Sequence, residues 1–287
     1  PASVLLERIK NERRRQWEKA ELAKIKAKGK APKDDKWKKK YQEPDPVDDS
    51  ELPELPEGWC WASFDELTAL VTSGSRGWAK FYSSNGPIFI RAQDINQDYL
   101  NLSDTAHVEL PKKTEGIRTR VAKGDLLITI TGANVTKTAM VENEIEEAYV
   151  SQHVALTRPV SISLSDFMHL WAISQENGRK ILMEKAYGGG KPGLNLGNIK
   201  ALPIALAPKN EQKVIIEKVG STLSSIGTLT AMNENFQKLE RLNQSILSKA
   251  FRGELVPQDP NDEPASVLLE RIRAERGDRA KTRRKAK

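Results

Sequence analysis

The nine residues Pro1-Ala2-Ser3-Val4-Leu5-Leu6-Glu7-Arg8-Ile9 return letter for letter as Pro264-Ala265-Ser266-Val267-Leu268-Leu269-Glu270-Arg271-Ile272. Nine identities in a row do not arise by chance. The match continues through Glu12-Arg13 and Glu275-Arg276, at a constant offset of 263 residues. That interval is one domain plus its connection, so the fold must be completed between the two copies. The plain reading is one unit of a tandem duplication with the end of a preceding unit attached at its front. The start at Pro1 rather than Met agrees with a processed or cut chain.

Between the copies the pattern changes four times. Residues 1–29 read as a charged helix with apolar Val4, Leu5, Ile9, Trp17, Leu22 and Ile25, and 30–57, with five prolines among charges, as a linker. A domain of about 150 residues follows over 58–208. Three extended segments are expected, at Pro87–Arg91, Asp125–Ile130 and Tyr149–Leu156, each rich in β-branched or aromatic residues and bounded by Gly, Pro or Asp. A helix is expected over 165–186, a glycine-rich loop at Gly188–Gly193 and a short strand at Leu202–Leu206. The fold class is therefore α+β: a globular domain with a mixed β-sheet, followed by a long α-helix.

That helix is read from the stripe Ile216, Val219, Leu223, Ile226, Leu229, Met232, Phe236, Leu239, Leu242, Ile246 and Ala250, whose mean spacing of 3.4 residues is close to the coiled-coil repeat. A continuous helix over 209–253 would be about 60 Å long. Gly253 follows as a C-cap residue, with Pro257 beyond it and a repeated basic tail over 254–287. The alternatives are a helix packed on its own domain and an antiparallel coiled-coil spacer paired with another helix. The length favours the second, with Val219 to Ile246 as the pairing face and a homodimer as one way to supply the partner.

The formal charge of +7 suggests nucleic acid, but its distribution moves the excess to the ends. Residues 1–50 hold 15 Lys+Arg against 10 Asp+Glu and residues 264–287 hold 9 against 3, which leaves 51–263 at 22 against 26. Within the middle, residues 76–137 hold nine bases against six acids, so a local basic face is possible. Cys60 alone cannot form an internal disulfide, and His107, His153 and His169 lack neighbours at ligand spacing, so no metal site is read. No apolar run approaches a membrane span, and a cytoplasmic chain is expected.

Enzyme motifs are weak. Lys191 in the glycine-rich loop is followed by Pro192, where a phosphate-binding Walker loop needs Ser or Thr. No glycine-rich cofactor fingerprint is present, nor the Asn/Asp-Pro-Pro-aromatic tetrapeptide of amino-methyltransferases. The acid-x-lysine triplets Asp34-Asp35-Lys36 and Glu211-Gln212-Lys213 are expected by accident in a chain with 30% charged residues. No catalytic residue and no cofactor are assigned.

Five segments together resemble one family, the specificity (S) subunits of type I restriction-modification systems. They are Leu55-Pro56-Glu57-Gly58-Trp59-Cys60-Trp61, Tyr149-Val150-Ser151-Gln152-His153-Val154-Ala155-Leu156 and Lys191-Pro192-Gly193-Leu194-Asn195-Leu196, then Leu202-Pro203-Ile204 before Asn210-Glu211-Gln212, and Gln244–Gln258. The resemblance covers nearly the whole chain. It implies that 58–208 is a target recognition domain and 209–253 a spacer helix. It also implies a non-catalytic subunit that reads one half of a bipartite site in double-stranded DNA. Two modification subunits, which bind S-adenosylmethionine and methylate adenine, and a restriction subunit are the implied partners. A typical S subunit has two recognition domains and two spacer helices. This chain has one of each, so it is read as a half-subunit or as the C-terminal half of a longer one. The competing readings are an intrinsic methyltransferase or nuclease, and a coiled-coil scaffold that binds no DNA.

Base reading needs polar side chains on loops that reach base edges, while Lys and backbone amides hold phosphates. Thr72–Lys80 offers Ser75, Arg76, Gly77, Trp78 and Lys80, with Trp78 expected to pack on a sugar or base, or the segment is a tight turn with a solvated Arg. Arg91 and Gln93 follow a strand, where Arg91 either reads a base or bridges to Asp94. Asn134 and Lys137 sit in the loop 131–137 between two apolar segments, and Gln152 and His153 lie inside a strand pattern, where a satisfied hydrogen-bonding role is the alternative. Lys191 and Asn195 flank a glycine-rich loop suited to a phosphate contact.

Overall fold

Helix α1 (Ala2–Ala27) opens the chain, as the charged amphipathic pattern predicts, and a 3-10 turn at Asp35–Lys40 follows it in the computed structural model of the protein. The structure describes residues 1–32, 34–111, 117–186, 193–230, 236–255, 267 and 270, with side chains at 79, 117, 224–230 and 236–240 left aside. The chain forms two compact units. The first comprises Pro1–Arg8, Asp48–Ala62 and Ala205–Lys287, and the second Ile9–Val47 and Ser63–Ile204. The stretch read from sequence as a linker thus divides between the two.

Strand β1 (Cys60–Ser63) leads into the single turn α2 (Phe64–Leu67). Ser63 Oγ accepts from the Glu66 amide, and Glu66 accepts in return from the Ser63 amide at 2.9 Å, a reciprocal cap that satisfies two otherwise orphaned donors. The second unit continues with β2 (Thr68–Ser73), a 3-10 turn at Trp78–Phe81 and β3 (Tyr82–Ile90). The hairpin strands β4 (Ile95–Asn96) and β5 (Tyr99–Leu100) precede β6 (Ala106–Val108), β7 (Leu126–Thr129), β8 (Thr138–Met140), β9 (Ala148–Val150) and β10 (Val154–Pro159). Helices α3 (Ser165–Ile173), α4 (Gly178–Lys185) and α5 (Leu196–Lys200) follow, then β11 (Pro203–Leu206).

Two sheets dominate the second unit. One is antiparallel, in the order β2-β10-β7-β8; the other, β6-β3-β9, is mixed, with β3 antiparallel to β6 and parallel to β9. The parallel pair explains the unit's core. Ile88 pairs with Ala148, Phe89 with Tyr149 and Ile90 with Val150. Alternation sends every second residue to the same face. Ile88, Ile90, Ala148 and Val150 accordingly join an aliphatic core with Leu127, Val154 and Leu156 from the antiparallel sheet. Phe89 and Tyr149 point the other way, into an aromatic cluster with Trp78 and Val108. One face is the core and the other is the floor of the site described below.

Three expected elements differ. The segment Tyr149–Leu156 is two strands, β9 and β10, separated at Ser151–His153, where the Val154 amide donates to the Ser151 carbonyl across a turn. The helix expected over 165–186 is α3 and α4, because at Ser174 the backbone turns extended and its amide caps the Trp171 carbonyl.

The long helix is also two, α6 (Lys209–Thr230) and α7 (Phe236–Phe251), in contact with one another in the first unit. Lys218 Nζ donates to the Leu255 carbonyl at 2.9 Å, whereas a continuous helix would hold those residues about 55 Å apart. The stripe requires an apolar partner, and the fold-back supplies one from the same chain. Of the expected pairing face, Val219 is buried, Leu223 and Ile246 are half-buried and Leu242 is exposed. Ile226, Leu229, Phe236 and Leu239 are described only as backbone, and Met232 lies outside the described residues. Trp59 is fully buried in the same unit and donates Nε1–H to Glu211 Oε2 at 2.9 Å.

Candidate nucleic-acid interface

The aromatic face of the mixed sheet is the floor of a cleft of about 290 Å³. Its walls come from three loops. The β2–β3 connection gives Ser75 and Gly77 and sends Trp78 into the floor, the turn after β3 gives Arg91 and Gln93, and the β9–β10 turn gives Gln152 and His153. Seven residues singled out from sequence therefore meet in one place, although they come from segments up to 78 positions apart. Local packing explains how the first wall is set. The Gly74 amide donates to the Ser151 carbonyl at 3.2 Å, and a Cβ at Gly74 would collide with the Val150 carbonyl, so the loop lies flush against the end of β9.

Closer geometry separates residues that can face a ligand from those that build the cleft. Trp78 is only 4% exposed, stacked on Phe89 at 5.6 Å and edge-on to Tyr149 at 5.5 Å. The expectation that Trp78 packs on a sugar or base is therefore corrected: its ring is part of the floor. The Tyr149 hydroxyl donates to Glu147 at 2.6 Å, and burial with that bond pushes its pKa up to about 12. Arg91 is a bridge. Its guanidinium donates twice to Asp94, at 3.1 and 2.8 Å, and once to the Asp104 carbonyl at 2.7 Å. The Asp94 hydrogen bonds raise the Arg91 pKa above its ordinary value, so the pair is fixed in charge as well as position. Gln93, in its better-satisfied orientation, accepts from the same guanidinium at 3.3 Å.

Asn134 likewise looks inward, donating to the Ala92 and Ile95 carbonyls at 3.2 and 3.3 Å, which ties its loop to the β3–β4 turn. Lys137 is 4.0 Å from Asp98, and exposed Lys80 lies 5.0 Å over the Phe81 ring. Asn195 caps α5, accepting from the Asn198 amide at 2.8 Å. The cap uses the side-chain oxygen of an exposed residue. Lys191 lies outside the described residues.

Three side chains remain directed outward. Arg76 is exposed, and no bond holds it among the described residues. Gln152 gives its amide hydrogen to His153 Nε2 at 3.0 Å, which leaves the ring hydrogen on Nδ1 to donate to Thr131 at 2.5 Å and leaves the Gln152 carbonyl oxygen available as an acceptor. His153 itself is exposed beside it. Sequence reasoning missed two neighbours. Tyr82 is 50% exposed with its ring edge against Phe89, an aromatic surface at the rim. Arg118, exposed, donates to Thr72 Oγ1 at 2.7 Å and Ser75 Oγ at 3.4 Å, which places its charge over the first wall. Arg118 was legible only as one base in the 76–137 excess; nothing local marked Tyr82.

The arrangement has an aromatic floor, outward Arg and Gln donors and acceptors, and small residues that allow close approach. Among the described residues no group of His, Cys, Asp and Glu forms a metal site. The EcoBI type I restriction enzyme specificity subunit of Escherichia coli is 28% identical over 201 residues, 67% of this chain and 42% of that protein. The StySPI specificity subunit of Salmonella potsdam is 27% identical over 237 residues, 77% of this chain and 51% of that protein. The chain thus spans about half the length of the curated relatives it matches. Among solved structures, the HsdS subunit of Thermoanaerobacter tengcongensis is similar at 22% identity with a TM-score of 0.48, covering 88% of this chain and 57% of that one. Residues 75–244, which include the whole cleft and more than half of the chain, match the family described as type I restriction modification DNA specificity domain, and the chain belongs to that family.

Proposed function

We propose that this chain reads one half of a bipartite sequence in double-stranded DNA, as the specificity component of a type I restriction-modification complex. The observation that carries the reading is the cleft over the β6-β3-β9 sheet in a chain of this family. Arg76 and Gln152 are the types of side chain that make bidentate contacts to guanine and adenine in the major groove, and Arg118 supplies charge beside them. Tyr82 offers an exposed ring that can lie against a sugar. Arg91 and Asn134 brace the turn after β3 that forms one wall of the cleft. The chemistry belongs to partners. Modification subunits carrying S-adenosylmethionine, and a restriction subunit, join this chain, which itself binds no cofactor in this reading. Among the described residues no helix is long and apolar enough to cross a membrane.

The test is two measurements. Mapping methylated adenines in cells that express the complete system gives the recognised sequence. Filter binding of the purified chain to a duplex with that sequence, against a scrambled one at two salt concentrations, gives the specificity ratio. Preference for the mapped sequence with a steep salt slope supports the reading, because each neutralised phosphate releases counterions. Equal binding to both duplexes, or no binding, overturns it.

A further inference from the structure

Gln152 stands in the β9–β10 turn between two residues whose backbones are fixed. The Ser151 amide donates to the Ile90 carbonyl at 2.8 Å, and the His153 carbonyl accepts from the Ile130 amide at 2.9 Å. The Ile130 carbonyl in turn accepts from the Leu194 amide at 2.7 Å. Thr131 follows Ile130 directly, so these backbone bonds bring its hydroxyl to the His153 ring. Three side chains then form one line that ends in the cleft. Thr131 Oγ1 lies 2.5 Å from His153 Nδ1, and His153 Nε2 lies 3.0 Å from Gln152 Nε2.

A neutral imidazole has one donor and one acceptor, and the partner of one nitrogen settles the role of the other. With a Gln152 amide hydrogen given to Nε2, the ring hydrogen is on Nδ1 and Thr131 accepts it. Gln152 keeps its carbonyl oxygen and its second amide hydrogen, an acceptor beside a donor. That pair matches the major-groove edge of adenine, where N6 donates and N7 accepts. It does not match guanine, whose O6 and N7 both accept. The reverse polarity of the same line has Thr131 donating to Nδ1 and Nε2–H donating to the Gln152 oxygen, which turns both amide hydrogens outward, as guanine requires. The place of one ring hydrogen thus selects between two purines.

We propose that His153 is a positioning residue for base reading: its ring, held by Thr131, keeps the Gln152 oxygen outward and makes the cleft select adenine over guanine at one position of the half-site. His153 acts through Gln152 and not on the base. The base assignment rests on the reading that the cleft binds DNA, whereas the state of the ring does not, so the two can fail separately.

The first measurement needs no DNA. Nitrogen chemical shifts of the histidine rings in the full chain, which has three, are assigned by comparison with His153→Phe. They are expected to place the His153 hydrogen on Nδ1, and a hydrogen on Nε2 overturns the proposal. Filter binding then compares the mapped duplex with duplexes in which A·T and G·C pairs are exchanged one at a time. Gln152→Ala is expected to abolish adenine preference at one position, and no such position overturns the proposal. His153→Phe keeps a ring in the turn without its nitrogens. It should lower the adenine-to-guanine ratio at that same position by about tenfold or more, the discrimination of a good bidentate pair, and leave the other positions within about twofold. Thr131→Val should move the ratio in the same direction, and it carries the test alone if His153→Phe fails to fold. An unchanged ratio, or equal losses at every position, overturns the proposal. Wild type that prefers no sequence overturns the DNA reading instead and takes the base assignment with it.

Discussion

Arg76 and Arg91 carry the same side chain in two different settings, one exposed and one bonded to Asp94, and the difference is measurable. Arg76 is exposed and spends nothing on the fold, so Arg76→Ala should lower affinity for the mapped sequence by about 1–3 kcal/mol and leave the melting temperature unchanged. Arg91→Ala removes both guanidinium donors to Asp94, which is only 4% exposed, and leaves that carboxylate with the residue-91 backbone amide but without its counter-charge. Thermal melting should fall clearly for Arg91→Ala, and a variant that melts like the parent would remove Arg91 from the scaffold. His169 gives a pH prediction. Its Nε2–H donates to the Thr138 and Asp98 carbonyls at 3.0 and 3.2 Å, and burial pushes its pKa below the usual histidine value. In the unfolded chain the imidazole takes a proton near pH 6.5. The neutral folded ring therefore stabilises the protein fully above about 6.5, and that contribution is lost as pH falls through this value towards the folded pKa. Asp125 acts oppositely: burial outweighs its bonds to Arg158 and raises its pKa, so its contribution declines as pH rises through the folded value. The difference between wild type and His169→Gln isolates the histidine. Wild type should lose more melting temperature between pH 7.5 and 5.5 than the variant, and parallel curves would refute the assignment.

Elements were legible where the physics is local and hidden where it is not. The β-branched and aromatic run in Pro87–Arg91 and the apolar run at Asp125–Ile130 give β3 and β7 directly, because such composition is a property of neighbours. Tyr149–Leu156 reads as one strand, since its composition is uniform; only its pairing with β3 on one side and with β2 and β7 on the other shows the turn at Ser151–His153. The site suffered the same limit. Loop composition located the cleft, but Asn134 and Arg91 were indistinguishable from Arg76 until their partners at positions 92, 95, 94 and 104 were in place. Likewise Asp98, at positive φ in the β4–β5 turn, is held by Arg179, 81 positions away. The helical hairpin is the largest difference, because a periodic stripe specifies a need for a partner and not its source. At 22 residues, α6 is about 33 Å long, against about 60 Å for the continuous helix. Spin labels at Glu217 and Glu254 should therefore report a separation well under 25 Å, where a continuous helix would put them about 55 Å apart.

For the whole molecule, the distribution of charge matters more than the total. The excess of positive charge lies in residues 1–50 and 264–287, while the residues between them are net negative, and the outward groups of the cleft are few. Two contributions to DNA binding should then be separable. On the proposed reading, the cleft would supply the sequence ratio through directed hydrogen bonds, and the basic tail would supply affinity that is indifferent to sequence, because phosphates repeat identically along a duplex. Deleting 264–287 removes nine bases and three acids. Affinity for scrambled and mapped duplexes should fall together, and the plot of log affinity against log salt should become shallower by roughly one unit for each phosphate that the tail no longer neutralises. The ratio between the two duplexes should remain within about twofold, since base contacts are untouched. Arg76→Ala should do the reverse, lowering the ratio with a small change in slope. If the tail deletion changes which sequence is preferred, base reading extends beyond the cleft and the division between positioning ends and a reading centre fails. If both variants lower ratio and slope in proportion, the cleft and the tail grip one stretch of backbone, and Arg76 is a phosphate contact.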